Sequence, residues 1–238
     1  MHRHSETLGK IGLFRHLDSK LVSRLDTQCV WRRIEAGTEI LSRHDTSTDV
    51  YFIISGTVRV VVNSVGGRDT IFRDINAGEY FGEFAAIDGR ERSASVMART
   101  NVTVAKMPAT VLREVAVQHG SVCFQLLESA VAQMRYLSDR INEFRTLDVR
   151  HRIYTELIRL AWMREGTNEG VISPPPVHQE IADRVSSRRE AVTRELKMLE
   201  REGALIRKRG ALIIPDVRLL ESRIDHASEG DGGLVGTR

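Results

Sequence analysis

Glu83, Arg92 and Ser93 are the residues whose types and spacing point most directly to chemistry. They belong to the run Phe81-Gly82-Glu83-Phe84, followed after a short spacer by Arg92-Ser93-Ala94. Nine positions separate the carboxylate from the guanidinium, so a compact loop can bring both to one pocket. A carboxylate accepts hydrogen bonds from a sugar hydroxyl. An arginine fork, helped by a serine hydroxyl and free backbone N–H groups, holds a phosphate. One pocket offering both suits a ligand in which a ribose adjoins a phosphate. The competing reading is a β-hairpin whose Glu83 and Arg92 form a plain ion pair. It leaves Phe81, the Ser93-Ala94 pair and the small Ala98 unexplained.

A second constellation lies near the other end of the chain. Gln179-Glu180-Ile181-Ala182-Asp183-Arg184-Val185 reads as a short helix, with the small Ala182 where another helix can approach. Ser186-Ser187 breaks it, and Arg188 to Glu200 reads as a second helix. Val192, Leu196 and Leu199 fall on its inward face, which leaves Arg189, Glu190 and Arg194 on or near the exposed first turns. This is the pattern of a helix-turn-helix, whose second helix enters the major groove of DNA. Arginine bonds guanine O6 and N7, and glutamate accepts from cytosine N4. The competing reading is a charged amphipathic helix on a solvated face. Ser186 stands where such turns often carry glycine; a left-handed backbone there costs a serine ~1 kcal/mol.

Composition narrows the classes. The 238 residues suffice for one large domain or two small ones, and 41% hydrophobic with 28% charged residues is ordinary for a soluble globular chain. A formal net charge of +3 permits nucleic acid without demanding it. Cys29 and Cys123 form no Cys-x-x-Cys pair, and the eight histidines show no metal-ligand spacing. No disulfide scaffold, zinc ribbon or other metal site is expected, and a reducing cytoplasm fits. Residues 1–6 lack the apolar core of a signal peptide, and no apolar run approaches the ~20 residues of a membrane span. No membrane partner is expected.

The elements that must position these residues are also legible. Leu13, Phe14, Leu17, Leu21 and Leu25 give residues 8–28 a helical lead. From Trp31 to Pro108 the texture is β, with strands around Val50–Ile54 and Val58–Val62 and turns at Ser55-Gly56, Gly66-Gly67 and Asn76-Ala77-Gly78. Many short strands imply an antiparallel sandwich or roll. Residues 109–148 turn helical. Leu127, Ala130, Met134, Leu137, Ile141 and Phe144 step by three and four, the seam of a helix paired with its twin. A helix packed on its own domain is the alternative, but charged neighbours favour the narrow seam. Leu147-Asp148-Val149 reads as a hinge, followed by a helix through Ile153 and Leu157. Ile206 to Pro215 reads as a small hairpin, and the tail from Ser228 as disordered.

The first run resembles the phosphate-binding cassette of cyclic-nucleotide-binding domains, and Arg189 to Glu200 resembles a recognition helix of the CRP/FNR family. Cassette, seam helix and C-terminal helix-turn-helix occur in that family's order over roughly Leu8 to Pro215. The resemblance implies an α+β fold. Residues 8–118 would form an N-terminal antiparallel β-roll that binds cyclic nucleotide, and 119–146 a long dimerisation helix. Residues 147–218 would form a winged helix-turn-helix, and 219–238 a tail. It implies a homodimeric, non-enzymatic transcription regulator that takes cAMP or cGMP as effector, binds palindromic TGTGA-type operator DNA and contacts RNA polymerase.

By the same resemblance Glu83 holds the ribose. Arg92 and Ser93, with N–H groups around Gly82 and Ala94, hold the cyclic phosphate; Phe84 belongs to the same cassette. Leu137 and Ser138 meet the base from the partner subunit. Leu137 stands where a cAMP-binding member carries threonine, so the choice between adenine and guanine stays open. Arg189, Glu190 and Arg194 read bases, and Gln179, Ser187 and Arg188 join them at the DNA. Two other classes stay open: a family regulator with another effector or none, and an enzyme that processes cyclic nucleotides. The latter would need a nucleophile–base pair or a metal cluster, and neither is legible.

Overall fold

The computed structural model describes residues 7–63 and 69–230. The chain divides into two compact units, Met1–Gln133 and Met134–Arg238. The expected Gly66-Gly67 turn, the leader residues 1–6 and the tail beyond Gly230 lie outside the described residues.

The first unit opens with two 3-10 turns, Leu8–Lys10 and Gly12–Phe14, and helix α1, Ser19–Thr27. Asp18 caps α1 by accepting from the Lys20 N–H at 3.0 Å. Eight strands follow: β1 Val30–Ile34, β2 Glu39–Leu41, β3 Val50–Ser55, β4 Thr57–Asn63, β5 Asp69–Asn76, β6 Tyr80–Phe81, β7 Ser95–Ala98 and β8 Val102–Met107. They form two antiparallel four-stranded sheets, ordered β1-β8-β3-β6 and β2-β7-β4-β5. Helix α2, Glu83–Asp88, interrupts the strands, and α3, Ala109–Gln118, closes the unit.

The period of two explains why this is a roll with helices on one side. Along β3, Tyr51 and Ile53 point into a core shared with Val58, Ile75, Phe81, Val96 and Val104 from both sheets. Val50, Phe52 and Ile54 point the other way, into a core with Leu8, Phe14, Leu25, Leu112 and Val122. A strand buried on both faces reads as the continuous apolar run Val50–Ile54.

Helix α4, Gly120–Thr146, spans the boundary between the units. In the second unit come α5 Val149–Leu160, β9 Trp162–Met163, β10 Gly170–Ile172, α6 His178–Arg184, α7 Arg189–Arg201, β11 Ile206–Lys208, β12 Ala211–Ile214 and α8 Val217–Gly230. Its sheet runs β11-β12-β10-β9. Ile153, Leu157, Ile181, Val192, Leu196, Leu199 and Leu212 share one core.

One expectation is extended and one corrected. The hairpin expected at Ile206–Pro215 forms as β11 and β12, and β12 also pairs with β10, which extends it into a four-stranded sheet. The tail expected from residue 219, with disorder from Ser228, instead lies in α8 as far as Gly230. Val217 and Leu220 are buried in the second core and hold the start of α8 there.

Candidate ligand and nucleic-acid sites

The cassette expected as an irregular loop contains a helix. Phe81 pairs with Tyr51 across β6 and β3 and stacks on its ring at a centroid distance of 5.0 Å. The chain then turns through Gly82 at φ 84 into α2. Only glycine fits that turn. A Cβ on Gly82 would come within 2.8 Å of Arg92 Nη1 and 3.1 Å of the Asp49 carbonyl oxygen, in a left-handed backbone. Glu83 begins α2 and is half-buried. Burial pushes its carboxyl pKa up; its own backbone N–H, then Arg73 and Arg92, oppose that rise. Phe84 is 48% exposed.

Arg92 is only 3% exposed. Its Nε–H and an Nη2–H donate to Ser47 Oγ at 3.2 and 3.1 Å, another Nη2–H to the Asp49 carbonyl at 2.7 Å, and Nη1 to the Gly82 carbonyl at 2.8 Å. Every one of these acceptors is neutral. The carboxylate of Asp49 is taken by Lys106 Nζ at 2.7 Å. Among the described residues no carboxylate forms an ion pair with Arg92, Glu83 included, which removes the plain ion-pair reading. Burial draws the guanidinium pKa down, and Tyr51, Asp45, Asp49 and Glu83 pull against it from further off.

The fork expected to face a phosphate is therefore largely engaged by the protein: Ser47 occupies its Nε–Nη2 edge. What remains for a ligand is one Nη1 N–H and an unneutralised charge. Beside it Ser93 is exposed and Ala94 half-buried. Ala98, by contrast, is a core residue between the sheets. The segment around Ser47 is tied to the cassette by two further bonds, His44 N–H to the Arg92 carbonyl at 3.1 Å and Arg92 N–H to the Asp45 carbonyl at 2.9 Å.

Sequence reasoning missed Ser47, Asp49 and Arg73. Arg73 had a readable signal: on β5 it stands two positions before the buried Ile75, and it pairs with Val60, which packs on the core between the sheets. Leu137 and Ser138 belong to the second unit, on α4; Leu137 is half-buried and Ser138 exposed.

The helix-turn-helix forms as expected. Helix α6 ends in a turn where Ser186 adopts φ 49, the left-handed position. The Ser187 N–H closes it on the Ala182 carbonyl at 2.9 Å. Arg188 occupies the N-cap position of α7 rather than its first turn, and caps no N–H with its side chain. Val192, Leu196 and Leu199 are buried; Arg189, Glu190 and Arg194 are exposed. With Thr193, Lys197 and Arg201 they line one open recess along α7. Gln179 is exposed and donates its amide to Asp183 at 2.7 Å. His178 Nδ1 lies 2.8 Å from Thr193 Oγ1, which donates to the Arg189 carbonyl. That chain fixes the first turn of α7. Arg207 on β11 is held by Glu200 of α7 at 3.0 Å, joining wing to helix.

Among the described residues no group of three or more His, Cys, Asp or Glu is placed to hold a metal, and no helix is long and apolar enough to cross a membrane. Burial raises the Cys29 thiol to about 12, so it is not a ready thiolate.

Comparison with known proteins agrees with this geometry. Residues 31–119 match the cyclic nucleotide-binding domain, and residues 151–223 the Crp-like helix-turn-helix domain. The chain is 28% identical over 205 residues to the cAMP-activated global transcriptional regulator Vfr of Pseudomonas aeruginosa, covering 84% of this chain and 93% of that one. It is 24% identical over 221 residues to the CRP-like cAMP-activated global transcriptional regulator of Mycobacterium tuberculosis, covering 92% and 98%. Two solved structures share the fold. CooA from Carboxydothermus hydrogenoformans has a TM-score of 0.75 at 17% identity, covering 89% of this chain and 95% of that one. The c-di-GMP responsive regulator CLP of Xanthomonas campestris has a TM-score of 0.67 at 22% identity, covering 83% and 99%.

Proposed function

The chain belongs to the CRP/FNR family of transcription regulators, and on that premise we propose that it is a homodimer that responds to cAMP or cGMP and binds a palindromic TGTGA…TCACA-type operator. The observation that carries the ligand reading is Arg92: a buried cation held only by neutral acceptors, with no carboxylate paired to it. Burying a charge unpaired is costly, and a phosphate arriving at the site would relieve that cost. In this reading the cyclic phosphate meets Arg92, the Ser93 hydroxyl and the N–H groups around Gly82 and Ala94. Glu83 accepts from the ribose 2′-hydroxyl, beside the exposed edge of Phe84. Leu137 and Ser138 of a second copy meet the base.

At the DNA, Arg189 and Arg194 donate to guanine O6 and N7 and Glu190 accepts from cytosine N4. Gln179, Ser187 and Arg188 flank them at the backbone. Ligand binding shifts the population toward the arrangement that sets two recognition helices ~34 Å apart, one turn of the duplex. No bond chemistry is needed. RNA polymerase is the further partner that the family suggests.

A second effector class deserves a place in the test, because Leu137 offers no hydroxyl to a purine edge and Arg73 adds a cation near Glu83. The structurally similar CLP is described as c-di-GMP responsive. Calorimetric titration of the full-length protein with cAMP, cGMP and c-di-GMP, with AMP as control, decides. Saturable binding of cAMP or cGMP with the nucleotide recovered unchanged is the expected result. Binding of c-di-GMP alone would replace the effector, turnover would make the protein an enzyme, and no binding at all would leave a ligand-free roll.

A further inference from the structure

Within the second unit a group of charges is buried where three helices meet. Glu156 on α5 is 2% exposed and Arg184, the last residue of α6, 6%. Glu156 is met by Arg140 of α4 at 3.1 Å, by Arg159, and by Arg184 at 3.6 Å. Glu143, one turn beyond Arg140 on α4, bonds both Arg140, at 2.9 Å, and Arg159. Glu180 completes the set by meeting Arg184 at 3.4 Å. Arg140 and Arg152 also lie over the Phe144 ring, at 5.0 and 4.9 Å from its centroid. The other Arg140 nitrogen, Nη2, donates to the backbone carbonyl of Arg184.

That last bond sets the group apart from an ordinary ion-pair patch. The Arg184 carbonyl is one of those that the end of α6 cannot satisfy from within the helix. Arg140 fills it, immediately before the left-handed turn at Ser186 that aims α7. Buried ion pairs are weak sources of stability, because desolvation offsets their attraction; what they can supply is a fixed geometry.

We propose that Arg140 is a positioning residue for the recognition helix. With Glu143 it fastens the last turns of α4 to α5 and to the end of α6, so that a displacement of α4 is passed through the Ser186 turn to α7. This rests on the effector-and-DNA reading above. The charges make the idea testable without unfolding the unit. Arg140, Arg159 and Arg184 balance Glu143, Glu156 and Glu180. Removing Arg140 and Glu143 together leaves two arginines against two glutamates, all on α5 and α6.

The test is the full-length Arg140→Met/Glu143→Gln variant beside wild type. Oligomeric state is read by light scattering, nucleotide affinity by calorimetry, and operator affinity by fluorescence anisotropy with and without nucleotide. Dimerisation and nucleotide affinity should stay within about twofold, while the nucleotide-driven gain in operator affinity falls about tenfold. An unchanged gain overturns the proposal. Arg140→Lys keeps the charge but cannot reach carboxylates and the Arg184 carbonyl together. It should show the same loss in smaller measure, and it serves as the test if the double variant does not fold; a wild-type gain in folded Arg140→Lys overturns the proposal. If wild type itself shows no nucleotide effect on DNA, the effector reading fails. The positioning role is then read from operator affinity alone, and a loss under about threefold in the double variant overturns it.

Discussion

Arg92 and Glu83 should respond to substitution in opposite ways. Replacing Arg92 with Leu strands Ser47 Oγ and the carbonyls of Gly82 and Asp49. These groups are half-buried, so stranding each costs at most ~1–3 kcal/mol; Arg92→Leu should abolish nucleotide binding and also lower the melting temperature. A fully stable variant would mean that these bonds are not made in solution. Glu83 gives the opposite sign. Its folded pKa is raised, so its stabilising contribution is complete below the unfolded carboxylate value, near ~4, and is lost as pH rises through the folded pKa. Glu83→Gln should therefore melt higher than wild type at pH 7 and level with it below ~pH 4, while binding nucleotide more weakly. Equal melting curves at both pH values would contradict the burial assigned to Glu83. Ser186, at φ 49, is strained in a way that glycine relieves, so Ser186→Gly should stabilise by ~1 kcal/mol. These positions were unequally legible. Gly82, Glu83, Arg92 and the serine at the helix turn could be named from their neighbours. Ser47 and Asp49 could not, since they reach Arg92 from more than forty positions away, one through a hydroxyl and the other through its backbone carbonyl.

Among the elements, α4 makes the boldest claim. Leu127, Met134 and Ile141 are 57%, 61% and 60% exposed on one seam, which a partner helix would cover. Phe144, the last seam position, instead carries the guanidinium groups of Arg140 and Arg152 over its ring. Because Met134 is exposed in the single chain, Met134→Asp should leave the fold intact yet weaken dimerisation at least tenfold, read by sedimentation equilibrium; a dimer of unchanged affinity would place the interface elsewhere. Leu137→Thr belongs to the same helix. It adds a hydroxyl that can accept from an adenine amino group, worth ~0.5–1.5 kcal/mol, so the cAMP:cGMP affinity ratio should rise a few-fold. An unchanged ratio in a variant that still dimerises would mean that Leu137 does not face the base. Strong periodicity made α1, α4, α5 and α7 readable. The six-residue α2 was hidden between glycines, and the two- and three-residue strands β9 and β10 carry too little pattern to stand out. Helix α8 had a signal, Val217, Leu220 and Ile224 at helical spacing, obscured by its polar neighbours.

At the scale of the molecule, two compact units with three cores carry two candidate sites, and the long helix connects the units in sequence. The order of cassette, seam and helix-turn-helix was visible in the chain because each part depends on local patterns. Which effector the roll takes depends on side chains brought together from separate strands and, in the proposed dimer, from two chains. In the proposed mechanism a cyclic nucleotide at Arg92 governs DNA binding at Arg189, Glu190 and Arg194. The most direct test is fluorescence anisotropy of a labelled palindromic TGTGA…TCACA duplex titrated with the full-length protein at fixed salt, alone and with saturating cAMP or cGMP. One of the two nucleotides should tighten binding by about five- to 150-fold. Glu190→Ala should relax the preference at one base pair per half-site by ~1–3 kcal/mol. Operator binding that is indifferent to both nucleotides, or no preference for the palindrome over random DNA, would contradict the proposed mechanism.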